Sequence, residues 1–425
     1  MAEIIPDGIA PCRGGAMSKT RVFLFLQGVC SPFFARLADQ LKADGHQVFK
    51  INFNAGDQVY WGGRSAWNYR GPVSGLRDYL DDKYRRYGIT DQILFGDSRP
   101  VHRPAVNHGE VCGVRTHVFE EGYFRPYWVT LEREGVNGHS LLPRDPDWFR
   151  DVGAGLPDYG DGQPFQPSFK IRAAHDVAYH TAGFWNPLLF PRYRTHAPVN
   201  AAVEYFGYTG RLPTLRFHKP RDSALVDGLV RASTPFFLLP LQLGSDAQIL
   251  EHSRFNDMAG VMEFVMESFA RHASMETRLV IKNHPLDMGL INYRKLIRDL
   301  SDRFALSGRV DYMETGNLEI LLRHAQGTVT VNSTVGSLSL ELNCPTITLS
   351  DPIYNLPGLT FQGELDDFWR ERPLPDAELF RRFRNTVIHT TQVNGGFYTW
   401  RGIDLAVENS RRMLEPERSP LEQLL

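Results

Sequence analysis

Two alternations of short apolar strands with amphipathic helices, one from residue 20 and another restarting near residue 233, predict an α/β chain. It has two doubly wound, Rossmann-like domains and a cleft between them. Length supports the division, because 425 residues exceed what one hydrophobic core ordinarily holds. The third observation is where the polar residues fall. Strand after strand ends abruptly in amides, hydroxyls or charges, as in open sheets that bind ligands at their carboxyl edge.

The first domain, 20–232, opens with Arg21 to Leu26 as a strand, closed by Gln27-Gly28. Pro32 to Leu41 follows as a helix with Phe33, Leu37 and Leu41 on one stripe, and His46 to Phe53 as a second strand. Gly28 stands at a strand-to-helix turn and is a substrate-binding candidate, but without G-x-G-x-x-G it implies no dinucleotide. Asn52, Asn54, Gly56 and Asp57 end the second strand with groups suited to sugar hydroxyls. A plain turn accounts for Asn54 and Asp57 equally well. Leu76 to Tyr87 reads as a helix, and Gln92 to Phe95 as a strand running into Gly96-Asp97-Ser98-Arg99; a helix starts at Val101.

Thr116 to Phe119 is strand-like and leads into Glu120-Glu121-Gly122-Tyr123, with Arg125 just beyond. Successive side chains of a strand point to opposite faces, so the two carboxylates part company. One of them can serve as nucleophile or base with Arg125 orienting it; an exposed acidic turn is the other reading. Residues 145–166 read as loop, and the prolines beside Asp145 and Asp147 argue for a surface turn rather than a metal site. Ile171 to Tyr208 reads as helical with aromatic faces. The basic, proline-containing passage Arg211 to Arg221 reads as a solvated linker, with contact to lipid headgroups as the other reading.

The second domain, 233–392, restarts with the apolar strand Pro235 to Leu241, ending in Gln242 and then Ser245-Asp246. After a helix over 257–272, Leu279 to Lys282 is a strand ending in Asn283-His284-Pro285, where proline forces the chain out. Further on, Thr328 to Val331 is a buried strand, broken by Asn332-Ser333-Thr334 before a helix from Val335. A strand turning into a helix leaves backbone N–H groups free for an anion. If the two strands are neighbours, Lys282 and His284 face Ser333 and Thr334 and form a pocket for one phosphate. An ordinary helix cap and a loop-capping histidine are the alternative. Segment 393–425 reads as helical and packs back across the domains.

A net charge of −2 implies no general affinity for nucleic acid or anionic lipid, so any basic surface is local. Four scattered cysteines argue against a zinc or disulfide framework and for a reducing compartment. No apolar run is long enough to span a bilayer. Residues 1–19 are Pro/Gly-rich, read as a flexible N-terminus and lack a signal-peptide core.

Several motifs together, in order, resemble one family. Pro240-Leu241-Gln242 with Ser245-Asp246, Lys282-Asn283-His284-Pro285 and Asn332-Ser333-Thr334-Val335-Gly336 look like the nucleotide-site motifs of capsule polysaccharide β-Kdo transferases. Upstream, Asn52 to Asp57, Gly96 to Arg99, Phe119 to Tyr123 with Arg125-Pro126, and the late Asn394 to Tyr398 resemble the KpsS/LipB branch. The resemblance covers about residues 20–400. It implies a GT-B-like fold and transfer of Kdo from CMP-β-Kdo to a phosphatidylglycerol-type lipid, with retention of configuration. It implies no cofactor or metal, because one donor phosphate can be neutralised by Lys282, His284 and a helix start. Gln242, Ser245, Asp246, Pro285 and Asn332 would frame the nucleotide. Glu121 falls at the nucleophile position, where relatives outside this branch often carry Asp, and Glu120 would position the acceptor. The expected location is the cytoplasm, peripheral at the inner face of the inner membrane, with capsule assembly or export machinery as partner. A non-catalytic assembly factor and a UDP-sugar enzyme of the same fold are the alternatives.

Overall fold

The computed structural model describes residues 20–195, 201–243 and 255–425. The first sheet holds β1 (Val22–Phe25), β2 (Gln47–Asn52), β3 (Trp67–Asn68), β4 (Asp91–Phe95), β5 (Arg115–Glu121), β6 (Trp128–Arg133) and β12 (Gln392–Asn394). Their order is β12-β6-β5-β4-β1-β2-β3. β3, β2, β1, β4 and β5 run parallel, while β6 lies antiparallel to both β5 and β12. The second sheet is wholly parallel, ordered β11-β10-β7-β8-β9, from β7 (Phe236–Pro240), β8 (Arg278–Lys282), β9 (Val310–Met313), β10 (Gly327–Thr330) and β11 (Thr346–Thr348). Two Rossmann-like sheets thus give the GT-B-like architecture expected. β12 begins at Gln392 and returns the chain to the first sheet.

Strands β1, β7 and β8 are buried on both faces, which is why they read as nearly unbroken apolar runs. Phe23, Phe25 and Ile93 pack on one face of the first sheet against α1 (Phe33–Ala43), and Leu24, Leu26 and Leu94 on the other. In the second sheet Leu279 and Ile281 face the helix Met258–His272, and Val280 faces Val226 and Leu229.

Two segments depart from the sequence reading. Within the predicted loop 145–166, Pro146–Ala154 is a helix, and Asp145 caps it by accepting from the Asp147 N–H at 2.9 Å. The predicted linker Arg211 to Arg221 lies inside one long helix, Ala201–Arg231. Its prolines each remove one donor, but Asp222, Val226 and Leu229 are buried against the second sheet and hold the helix in place.

A buried charge group ties three strands of the first sheet. Asp91 accepts from Arg21 Nε at 2.8 Å, from Arg115 Nη2 at 3.1 Å, and pairs with His117 Nε2 at 2.8 Å. Burial resists ionisation of Asp91, but His117 and Arg21 outweigh it and hold the carboxyl well below its usual range. Burial holds His117 down to about 4. Below pH 6.5 the unfolded chain therefore takes up a proton that the folded chain refuses, so stability falls as pH drops from 6.5 towards 4. Asp91→Ala, which strands buried cations, is expected to cost about 3–5 kcal/mol in urea unfolding. A loss below about 1 kcal/mol would show the group to be unimportant to the fold.

Candidate functional site

Lys282 ends β8 and Ser333 follows β10, but the two strands are not neighbours; β7 lies between them. The sequence could not see this, because sheet order is set by crossovers rather than by spacing. Both turns nevertheless open at the same carboxyl edge. They flank the switch point where β7 meets β10, the usual ligand crevice of such sheets. Gln242 spans that point: its Nε2 donates to Asn332 Oδ1 at 2.9 Å, and its Oε1 accepts from the Asn332 N–H at 3.2 Å.

Lys282 and the helix Thr334–Glu341 lie on one face of the sheet, since Val280, two residues before Lys282, packs in the same apolar group as Val335 and Leu338. Ser333 caps this helix, its Oγ accepting from the Val335 N–H at 3.2 Å, which leaves the hydroxyl hydrogen for an anion. Thr334 is exposed at the helix start. Tyr354 OH donates to the Ser333 carbonyl at 2.5 Å and sits where a Cβ on Gly336 would stand, so only glycine fits there.

The turn after β8 is rigid. Asn283 donates to Tyr312 OH at 2.8 Å and to Glu314 Oε2 at 3.1 Å, while its own Oδ1 accepts from the His284 N–H at 2.8 Å. Arg211 clamps the same loops, bonding Asp287 and Glu314 at 2.8 Å each. Lys282 is buried, and burial lowers its pKa although the nearby Asp222 pulls the other way. His284 Nδ1 accepts from the Leu286 N–H at 3.1 Å, so the neutral ring carries its hydrogen on Nε2. Burial, then Lys282, Arg125, Arg211 and Arg172, bring its pKa to about 4. His284 is therefore a neutral hydrogen-bond donor amid four cations. Pro285 directs the chain away after it.

Two of those cations belong to the first domain, which brings the second site element to the same cleft. Glu121 ends β5, and its carboxylate meets Arg172 Nη2 at 3.2 Å and accepts from Tyr398 OH at 3.4 Å. Arg172 also lies over the Tyr398 ring, 4.9 Å from its centre. Burial opposes the guanidinium charge, but Glu121 together with Tyr398, Cys30 and Asp176 outweighs it and raises the Arg172 pKa. Glu120 turns the other way, as strand alternation requires, accepting from the Glu121 N–H at 2.9 Å beside Gly96. Gly122 must be glycine, because a Cβ there would stand 2.0 Å from the Trp128 carbonyl oxygen.

Arg172 comes from α6 (Phe169–Gly183), which lies across the carboxyl edge of the first sheet. It takes the role the sequence gave to Arg125, which stands exposed on the turn beyond Gly122 and acts on His284 instead. The signal for Arg172 was present: Arg172, His175, Asp176 and Tyr179 fall at i, i+3, i+4 and i+7, a polar stripe on one helix face.

Three first-domain candidates are consumed by the fold. Asp57 pairs with buried Lys50 at 2.7 Å and accepts from the Gly28 and Phe53 N–H groups at 3.3 Å. Asn54 caps the helix Ala55–Trp61 and donates to Tyr179 OH at 2.8 Å. Gly28 lies against the Phe34 ring. All are buried, so none presents a free group to a substrate. Ser245 and Asp246 lie outside the described residues.

A family model described as "Capsule polysaccharide biosynthesis protein" matches residues 90–398. The chain is 36% identical over 379 residues to the capsule polysaccharide export protein KpsS of Escherichia coli, covering 88% of this chain and 96% of that protein. It is also 36% identical over 383 residues to the capsule polysaccharide modification protein LipB of Neisseria meningitidis serogroup B, covering 88% and 91%. The chain belongs to the capsule polysaccharide biosynthesis protein family, and within it resembles KpsS and LipB. Among solved structures, Thermosulfurimonas dismutans KpsC, a β-Kdo 2,7 transferase, overlays at 12% identity and a TM-score of 0.45, covering 92% of this chain and 99% of that one. The fold itself is defined by the chain's own two sheets.

The His284 assignment is open to direct measurement. Its imidazole, followed by NMR, is expected to titrate near pH 4 with the hydrogen on Nε2. Adding a nucleotide phosphate should raise that midpoint, because an anion favours the protonated ring. A midpoint at or above 6.5 in the free protein would contradict the geometry.

Proposed function

We propose that this protein is a retaining glycosyltransferase that moves Kdo from CMP-β-Kdo to a phosphatidylglycerol-type lipid, starting the linker of a capsular polysaccharide. The observation that carries the reading is the meeting of two unlike groups across one cleft. A carboxylate held by Arg172 and Tyr398 stands on one side, and Lys282 with the donor His284 stands on the other. The names of the relatives KpsS and LipB supply the capsule context.

The chemistry follows from those positions. Lys282, the Nε2–H of His284, the Ser333 and Thr334 hydroxyls and the helix start hold the single phosphate of the donor. As the sugar's anomeric carbon parts from the phosphate oxygen, the bonding electrons pass to CMP and these donors stabilise the new charge. The Glu121 carboxylate forms the bond on the opposite face, giving a glycosyl-enzyme ester. The acceptor oxygen then bonds to the anomeric carbon as the ester bond to Glu121 breaks, the bonding pair returning to the carboxylate and the hydroxyl proton passing to solvent water, and two inversions restore the configuration. Glu120, beside the Gly96 loop, positions the acceptor. Gln242 and Asn332 set the floor of the nucleotide site, with Ser245 and Asp246 as further framing residues. The sequence offers no cofactor motif, and the reading calls for no metal. The reaction takes place at the cytoplasmic face of the inner membrane, where the lipid acceptor and the capsule export machinery meet.

Glu121→Gln is expected to abolish transfer, assayed with CMP-β-Kdo and a short-chain phosphatidylglycerol, while the CMP-induced thermal shift persists. Turnover near that of the unaltered enzyme would remove Glu121 from the mechanism. Lys282→Ala should weaken CMP binding by about tenfold to a hundredfold, the worth of a charge-assisted hydrogen bond. Unchanged CMP affinity in Lys282→Ala would instead favour a non-catalytic assembly factor, and a larger thermal shift with UDP than with CMP a UDP-sugar enzyme.

A further inference from the structure

Helix α6 is amphipathic in the reverse of the usual sense. Its inner face is polar and bonded to strand ends of the first sheet and to the helix Ala55–Trp61. There Arg172 meets Glu121, His175 Nδ1 lies 2.8 Å from Tyr60 OH, and Tyr179 OH accepts from Gln27 Nε2 at 2.8 Å. Its outer face is apolar. Ile171, Ala174 and Val177 point to solvent there, and the chain continues through Phe184 and Trp185 to α7 (Asn186–Leu189). Phe184, Trp185 and Leu188 are 77%, 63% and 72% exposed. A surface helix ordinarily turns its apolar side to the core, so an outward cluster of this kind marks a contact surface.

The charges around it say which contact. From Gly162 to Thr195 the only acidic residue is Asp176, and it lies on the inner side, 3.7 Å from Cys30 Sγ. Lys170, Arg192 and Arg194 flank the apolar face and are exposed. Large apolar side chains with basic residues at their margin, and no acid between, match an anionic bilayer surface. Among the described residues no helix is long and apolar enough to cross a membrane, so attachment through them is to the surface.

We infer that the outward face of α6 and α7 docks the protein on an anionic phospholipid bilayer. Phe184, Trp185 and Leu188 enter the interface, and Arg192 and Arg194 sit among the headgroups. The inference rests on the lipid-acceptor reading above and adds to it a surface and an orientation. One helix then touches lipid on its outside and the Glu121 carboxylate on its inside, so an acceptor headgroup has only the helix end to pass before it reaches the cleft.

The test is sedimentation of the full chain with vesicles of phosphatidylglycerol and phosphatidylethanolamine, without donor. The triple variant Phe184→Ser, Trp185→Ser, Leu188→Ser should bind at least about tenfold more weakly. It should keep its melting temperature and its response to CMP, since none of the three touches the cleft network. Arg192→Glu and Arg194→Glu should each cost about fivefold, and only on vesicles containing phosphatidylglycerol. Met275→Ser, an equally exposed apolar residue elsewhere, should change nothing. Vesicle binding of the triple variant equal to that of the unaltered chain would overturn the inference. So would a chain that ignores vesicles but forms dimers that the triple variant loses, which would make the face a self-association surface. Failure of the unaltered chain to respond to CMP would count against the transferase reading while leaving the docking result to stand by itself.

Discussion

The contact between Glu121 and Arg172 organises more of this molecule than any other polar interaction in the cleft. It joins the end of a central strand to a helix that arrives much later in the chain, and it fixes which side of that helix faces the sheet. With Arg172 committed inward, His175, Asp176 and Tyr179 follow on the same face, and the opposite face shows Ile171, Ala174 and Val177 with Lys170 and Thr181 among them. The ion pair also holds a carboxylate at a defined place without burying it completely. For the nucleophile role proposed above, such a position, ordered but reachable, is the suitable one.

Across the cleft the second domain keeps its positive charge available. Asn283, Asp287, Glu314 and Arg211 satisfy one another and stiffen the turn after β8, while His284 lends it only Nδ1 and its backbone and keeps the Nε2 hydrogen outward of these bonds. Burial, reinforced by the cations around it, keeps the histidine neutral. In the proposed reaction the donor phosphate would offset this gathering of positive charge. Preorganised donors of this sort favour the state in which charge has moved onto the leaving group.

Much of this was legible in the sequence. Strand ends announced themselves at Lys282 and Asn332, and the opposed directions of Glu120 and Glu121 followed from strand geometry alone. What could not be read was non-local. That β7 separates β8 from β10 depends on crossovers, and the partner of Glu121 lies in another element. Asn54 and Asp57 show a different limit: amides and acids at a strand end look alike whether they await a ligand or a buried lysine. Lys50, a charge inside an apolar strand, was the sign that the acid was already taken. The prolines of the helix Ala201–Arg231 misled for a simpler reason, since burial of Asp222 and Leu229 outweighs two missing donors.

That long helix also decides where the chain can be divided. Asp222 accepts from the Glu314 and Thr315 N–H groups at 3.0 and 2.9 Å, and Val226 and Leu229 cover the second sheet. A fragment beginning at residue 233 would leave those amides unmet and a flank of the sheet bare. A fragment meant to keep the second sheet intact therefore has to begin upstream of Arg211, with the helix Ala201–Arg231 as its first element.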